Sequence, residues 1–118
     1  MRVLLVDDNQ SITELLSKFF KSKGYENVAT NDPRDGLERI KNENYDFVFL
    51  DISMPEFSGL DIIQALETEG ILKDQKIVIF SAHNFTQSEV KNLLKKDGIA
   101  ACVKKPIQLK ELLATIVS

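Results

Sequence analysis

The sequence predicts an α/β fold in which a parallel five-stranded sheet is sandwiched between helices. Three short apolar runs lack the alternation of apolar and polar residues that is typical of a strand with one exposed face. Amphipathic segments with helical spacing lie between and after these runs. Strand and helix therefore alternate five times in 118 residues, which favours right-handed crossovers and a parallel sheet.

The five predicted strands differ in how strongly the sequence indicates them. The first, third and fourth are apolar throughout and are expected to be covered on both faces, whereas the second and fifth are weaker candidates bounded by glycine, aspartate or proline. In chain order the predicted strands are residues 3–6, 27–30, 47–50, 77–80 and 101–104.

Helices are predicted after each strand. The second is expected to start at Asp32-Pro33, the third after Gly59, and the fourth near 86–96, where Thr86 and Glu89 have capping-box spacing and Phe85 can staple onto Val90. The first and last helices have apolar residues at steps of three and four, which are Ile12, Leu15, Leu16 and Phe19, and Leu109, Leu112, Leu113 and Ile116.

Composition limits the classes of function. Fifteen Lys and Arg against eighteen Asp and Glu give a net charge of −3, which argues against nucleic-acid binding by this chain. The single cysteine, Cys102, can form neither an intrachain disulfide nor a zinc site of four thiolates. Because no apolar run has the length of a signal-peptide core or a membrane span, we expect one cytoplasmic domain over residues 1–118, with no membrane association.

The ends of the predicted strands are unusually polar. In an open parallel sheet, ligands bind beyond the carboxyl ends of the strands. The strand ends deliver carboxylates, a hydroxyl and an ammonium to this edge, from Asp7-Asp8, Asp51, Ser81 and Lys104-Lys105.

These residue types predict phosphoryl-transfer chemistry. Three carboxylates within about 5 Å would repel by roughly 3 kcal/mol per pair at an effective dielectric near 20. Mg²⁺ would offset that repulsion because it accepts hard oxygen ligands and needs few carboxylates, and Lys105 would neutralise part of the remainder. Magnesium beside an acidic nucleophile, with an ammonium and a hydroxyl nearby, is suited to phosphoryl transfer, and Asp51 is the predicted nucleophile.

Four short motifs in order resemble a known family. The segments Val-Asp7-Asp8-Asn9, Asp51-Ile-Ser-Met-Pro-Glu-Phe-Ser-Gly59, Ser81-Ala82 and Lys105-Pro106 resemble the receiver domain of two-component response regulators. The resemblance covers essentially the whole chain. It implies a CheY-like (flavodoxin-like) three-layer sandwich with strand order 2-1-3-4-5 and five helices.

The resemblance also implies a role for each site residue. Asp51 would accept a phosphoryl group from a histidine kinase or histidine phosphotransfer protein. Mg²⁺ would be held by Asp8, Asp51 and the Ser53 backbone carbonyl, and by Asp7 largely through water. Ser81 would bond a phosphoryl oxygen, and Lys105, chosen over Lys104 because it precedes Pro106, would pair with the phosphate. A cis Lys105-Pro106 peptide bond is a further expectation.

Three positions would tune the switch. Ser53 and His83 match positions that border the path of hydrolytic water and would set the lifetime of the phosphorylated state, although a lone histidine in a loop is more often simply solvent-facing. Cys102 stands where many receivers carry Tyr or Phe, so signalling through a ring that changes rotamer is not expected. A thiol there should behave as a buried or half-buried hydrophobe.

The resemblance assigns output to the last two helices and the fifth strand, near residues 86–96 and 101–117. These would contact a downstream protein target or effector domain, with the chain a monomer or a homodimer that forms on phosphorylation. Nothing follows Ser118, so no effector domain is expected within this chain. The domain would promote its own phosphorylation and slow dephosphorylation without turning over a substrate.

Several alternatives compete with this interpretation. A carboxylate pair after a strand can be an ordinary helix start. A flavodoxin-like FMN carrier would need a phosphate-binding loop where the chain has Asp7-Asp8, and a dehalogenase-like phosphatase would need a carboxylate where it has Ser53. A pseudo-receiver that binds partners without phosphorylation remains open as well.

Overall fold

The computed structural model describes residues 1–81 and 86–117. Within these ranges five strands alternate with five helices, and a short 3-10 helix at Leu72–Asp74 precedes the fourth strand. The strands are β1 (Arg2–Val6), β2 (Glu26–Thr30), β3 (Phe47–Asp51), β4 (Ile77–Ser81) and β5 (Ile99–Lys104). The helices are α1 (Gln10–Ser22), α2 (Pro33–Asn42), α3 (Gly59–Thr68), α4 (Gln87–Leu94) and α5 (Leu109–Val117).

The five strands form one parallel sheet in the order β2-β1-β3-β4-β5, which confirms the predicted fold. The register aligns the carboxyl ends of neighbouring strands. Val6 pairs with Leu50, Asp51 with Phe80, and Ser81 with Lys104. The residues at and just beyond these ends therefore lie along one edge of the sheet.

Both faces of the sheet are covered, as the apolar runs predict. Successive strand residues point to opposite faces, so each central strand contributes to two cores. Leu4 and Leu50 pack in one core with residues of α2, α3 and α4, whereas Leu5 and Phe49 pack in the other with residues of α1 and α5. The edge strands β2 and β5 are only partly buried, which explains their mixed composition.

The helix starts follow local side-chain chemistry. The Asp32 carboxylate accepts a hydrogen bond from the Arg34 amide at the start of α2, and Thr86 and Glu89 form the predicted capping box at α4. The proposed contact of Phe85 with Val90 lies outside the described residues. Leu15 departs from the predicted apolar face of α1, because its side chain is 52% exposed while Leu16 is buried.

No helix in residues 1–81 and 86–117 is long and apolar enough to cross a membrane.

Candidate functional site

Three carboxylates meet at the carboxyl edge of the sheet. Each of Asp7, Asp8 and Asp51 offers an oxygen, and these atoms all lie within 4.8 Å of one another. Asp7 and Asp51 are each only 2% exposed, whereas Asp8 is exposed. The separation is close to the one at which mutual repulsion reaches about 3 kcal/mol per pair.

One ammonium joins two of these carboxylates. The Lys105 Nζ atom lies 3.1 Å from Asp7 Oδ2 and 3.4 Å from Asp51 Oδ1. The backbone amide of Lys105 donates to the Ser81 carbonyl at 2.8 Å, which ties its position to the end of β4. The Lys105-Pro106 peptide bond is cis, as expected, and Lys104 is exposed.

The surroundings of Asp7 disfavour its negative charge. Burial is the largest effect and raises the pKa of the Asp7 carboxyl to about 6, and the nearby Asp51 charge acts in the same direction. The hydrogen bond from the Asn9 amide, at 2.9 Å, and the contact with Lys105 act in the opposite direction. One ammonium therefore does not fully offset the cost of burying this carboxylate.

The donor set fits Mg²⁺. All three side chains present carboxylate oxygens, the hard ligands that this ion prefers, and the exposed Asp8 leaves one side of the cluster open to water. A divalent cation would supply the positive charge that Lys105 alone does not. The residues that could hold it are Asp7, Asp8 and Asp51.

Ser81 and Ser53 are the two serines that the sequence places at the site. Ser81 ends β4 and is 4% exposed. Ser53 is exposed in the loop after β3, and its amide donates to Asp51 Oδ1 at 3.2 Å. His83 lies outside the described residues.

The start of α3 approaches the backbone of Asp51 closely at Gly59. A Cβ atom at this position would lie 2.5 Å from the Asp51 carbonyl oxygen, a distance at which the backbone would have to shift. Ser58 and Asp61 then form a capping box at the first turn of α3. Glycine at position 59 thus allows the helix to begin directly against the end of β3.

Cys102 is half-buried and packs against the core beside α2, α3 and α4, as expected for a small hydrophobe. Burial raises the pKa of its thiol, so the reactive thiolate is disfavoured.

Asn31 is a site residue that the sequence reasoning missed. Its side-chain amide donates to the Asp7 carbonyl at 2.7 Å and to Thr13 Oγ1 at 3.1 Å. Asn31 directly follows β2, and the argument from polar strand ends, applied to the second strand, would have identified it.

Fold and site together define a CheY-like α/β domain with an acidic cluster at the carboxyl edge of its sheet. The chain belongs to the response regulator receiver domain family, whose profile it matches over residues 3–117. It is 35% identical over 116 residues to the transcriptional regulatory protein DltR of Streptococcus agalactiae, covering 98% of this chain and 50% of that protein. It is also 26% identical to the polar-differentiation response regulator DivK of Brucella anthropi, and the match covers 98% of this chain and 93% of DivK.

Solved structures show the same fold. The response regulator TrrA of Thermotoga maritima, in complex with Mg²⁺-BeF, is 30% identical with a TM-score of 0.77, covering 98% of this chain and 97% of that one. The chemotaxis protein CheY4 of Vibrio cholerae is 25% identical with a TM-score of 0.82, and the match covers 98% of this chain and 95% of CheY4. The chain spans about half the length of several of its curated relatives, DltR among them, and nearly the full length of DivK.

Proposed function

We propose that this chain is a phosphorylation-dependent switch in which Asp51 accepts a phosphoryl group from a histidine kinase or a histidine phosphotransfer protein. The observation that carries this proposal is the grouping of three carboxylates within 4.8 Å, with the Lys105 ammonium in contact with two of them. A group of like charges is costly unless it binds a cation, and a carboxylate beside a cation is equipped to receive phosphorus.

In the proposed reaction an Asp51 carboxylate oxygen attacks the phosphorus of a phosphohistidine. A new O–P bond forms, the P–N bond breaks, and its electron pair leaves with the histidine nitrogen. Lys105, already 3.4 Å from Asp51, would pair with the transferred phosphoryl group, and Ser81 would donate a hydrogen bond to one of its oxygens. Bound Mg²⁺ would neutralise developing charge, held by Asp8, Asp51 and the Ser53 carbonyl, with Asp7 acting largely through water.

The lifetime and the output of the phosphorylated state are further parts of the proposal. Ser53 and His83 would control the approach of hydrolytic water, and dephosphorylation would be slow. Movement of Ser81 and Lys105 toward the phosphate would change the face formed by α4, β5 and α5, where a downstream target or effector domain binds. Because Cys102 on β5 has no aromatic ring, the signal would not depend on a ring that changes rotamer.

Mass spectrometry after incubation with acetyl phosphate and Mg²⁺ tests the switch. We expect one phosphate adduct that is absent in Asp51→Asn and without Mg²⁺. Asp74→Asn is the matched control, since Asp74 is exposed in the 3-10 helix before β4, at the opposite edge of the sheet. No adduct on the wild-type chain with this donor or with a phosphohistidine donor would favour a pseudo-receiver instead.

Size measurement with and without beryllofluoride and Mg²⁺ tests the oligomeric output. A shift to twice the mass would indicate a homodimer that forms on activation. An unchanged mass would assign the output to a partner that binds the monomer.

A further inference from the structure

We infer that Asn31 is a positioning residue for the acidic cluster, and that its side-chain amide sets the affinity of the site for Mg²⁺. The inference rests on the proposed function, because it assumes that the cluster holds this ion. The hydrogen bonds of Asn31 in the described part of the chain go to the Asp7 carbonyl and to the Thr13 hydroxyl, so Asn31 would act through the backbone that carries Asp7 and Asp8.

The side-chain amide of Asn31 donates two hydrogen bonds. Asn31 Nδ2 donates to the Asp7 carbonyl at 2.7 Å and to the Thr13 hydroxyl at 3.1 Å. Thr13 is 3% exposed and in turn donates to the Gln10 carbonyl at 3.0 Å. A single side chain thus connects the end of β2 with both the end of β1 and the first turn of α1.

The hydrogen bonds of Asn31 act on the segment that carries two of the three carboxylates. Asp7 and Asp8 lie between the end of β1 and Asn9, the N-cap of α1. The Asp7 amide donates to the Thr30 carbonyl at 3.2 Å, so the peptide groups on both sides of Asp7 bond to neighbouring residues of the β2 end. With the backbone held in this way, the Asp7 carboxylate lies against Lys105, and the Asp8 carboxylate reaches the cluster.

Grouping the three carboxylates is energetically unfavourable without a cation. Three carboxylates within 4.8 Å repel each other, and the exposed Asp8 would turn away into solvent before a cation arrives if its backbone were not restrained. Partners that orient metal ligands commonly change metal affinity by 10- to 100-fold when they are removed. The bond from Asn31 to the Asp7 carbonyl would orient the ligands in the same sense, through the backbone that carries Asp7 and Asp8.

The chain offers a matched control in Asn27. This residue also bridges β2 to α1, because Asn27 accepts from the Ser17 hydroxyl at 2.6 Å and donates to the Ser17 carbonyl at 3.3 Å. Asn27 pairs with Val3 in the sheet, one strand length away from the acidic edge. Substitution of either asparagine removes bonds between β2 and α1, but only Asn31 reaches the Asp7 backbone.

Titration calorimetry with Mg²⁺ on the wild type, Asn31→Ala and Asn27→Ala tests the inference, with thermal unfolding measured in parallel. We expect the dissociation constant of Mg²⁺ to rise about tenfold or more in Asn31→Ala and to stay near the wild-type value in Asn27→Ala, even where both variants unfold at lower temperature. Thr13→Val, which keeps the bond to the Asp7 carbonyl, should weaken Mg²⁺ binding less than Asn31→Ala.

Equal Mg²⁺ affinity in the wild type and Asn31→Ala would overturn the inference alone, and so would an equal loss in both asparagine variants. If Asn31→Ala does not fold, Asn31→Ser replaces it in the same comparison. A wild-type chain that does not bind Mg²⁺ would overturn the proposed function together with the inference.

Discussion

The Lys105 ammonium at the end of β5 lies 3.1 Å from an Asp7 carboxylate oxygen at the end of β1, although 98 residues separate them in the chain. Neither strand pairs with the other, because β3 and β4 lie between them. The long lysine side chain therefore spans the edge of the sheet and contacts Asp51 on the way. From this arrangement we expect the stability of the domain to depend on pH, on Mg²⁺ and on Lys105.

Lys105→Met should lower the free energy of unfolding at pH 7.5 by about 1–3 kcal/mol when no divalent cation is present, because it leaves two buried carboxylates without their partner. The loss should be smaller at pH 5, where Asp7 is protonated. Urea denaturation at the two pH values measures it. Lys104→Met, at the exposed neighbour, is the control, and an equal effect of both variants would contradict the assignment.

Asp7→Asn should stabilise the metal-free protein at neutral pH. Because burial raises the pKa of Asp7 from 3.8 to about 6, the folded state holds its proton more tightly than the unfolded state does. The contribution of Asp7 to stability is present below pH 3.8 and is lost as pH rises through about 6. The gain in Asp7→Asn should be of order 1–3 kcal/mol at pH 7.5 and absent near pH 3 in denaturation experiments. A gain that did not change with pH would exclude this cause.

Mg²⁺ should raise the unfolding temperature of the wild-type chain at pH 7.5, because a ligand that binds only the folded state stabilises it. The increase should shrink below pH 6, since protons compete for the Asp7 carboxylate. Thermal melts at several Mg²⁺ concentrations measure both trends. Asp8→Asn should reduce the increase, and an undiminished response in that variant would remove Asp8 from the site.

Gly59→Ala should destabilise the fold by about 1–3 kcal/mol, because the added methyl group meets the Asp51 carbonyl oxygen and the start of α3 must move. The same movement should weaken Mg²⁺ binding. Gly24→Ala is the control, since Gly24 has φ 81° and open space around it, so its backbone strain acts far from the site. Mg²⁺ affinity that fell equally in both variants would show a general loss of stability rather than a local shift.

Cys102 should react with a thiol reagent at pH 7.5 more slowly than a free cysteine in a peptide. Its side chain is half-buried, and burial raises the pKa of the thiol, so less thiolate is present and less of it is accessible. The same chain in urea should react at the ordinary rate and serves as the control. A folded chain that reacted as fast as the unfolded one would place the thiol in solvent. A change of rate with beryllofluoride would show that β5 responds to activation.

The sequence by itself determined the order of the elements and most of their starts. Apolar runs of four residues bounded by polar residues favour strands covered on both faces, and caps such as Asp32 and the pair Thr86 and Glu89 act within one helical turn. Polar residues at strand ends predicted which carboxylates form the acidic cluster, because the carboxyl ends of parallel strands lie at one edge of the sheet. All of these signals are local, and they need no knowledge of which strands are neighbours.

Tertiary structure alone decided how the site residues differ from one another. Asp7 and Asp8 are adjacent and chemically identical, yet Asp7 is buried against Lys105 from the distant end of β5, whereas Asp8 is exposed. The bond from Asn31 to Asp7 and the exposure of Leu15 likewise depend on how β2 and α1 pack on β1. Contacts between distant segments determine which side chains are buried, and burial shifts the pKa of a carboxyl group such as that of Asp7. Composition and spacing therefore could not predict these differences.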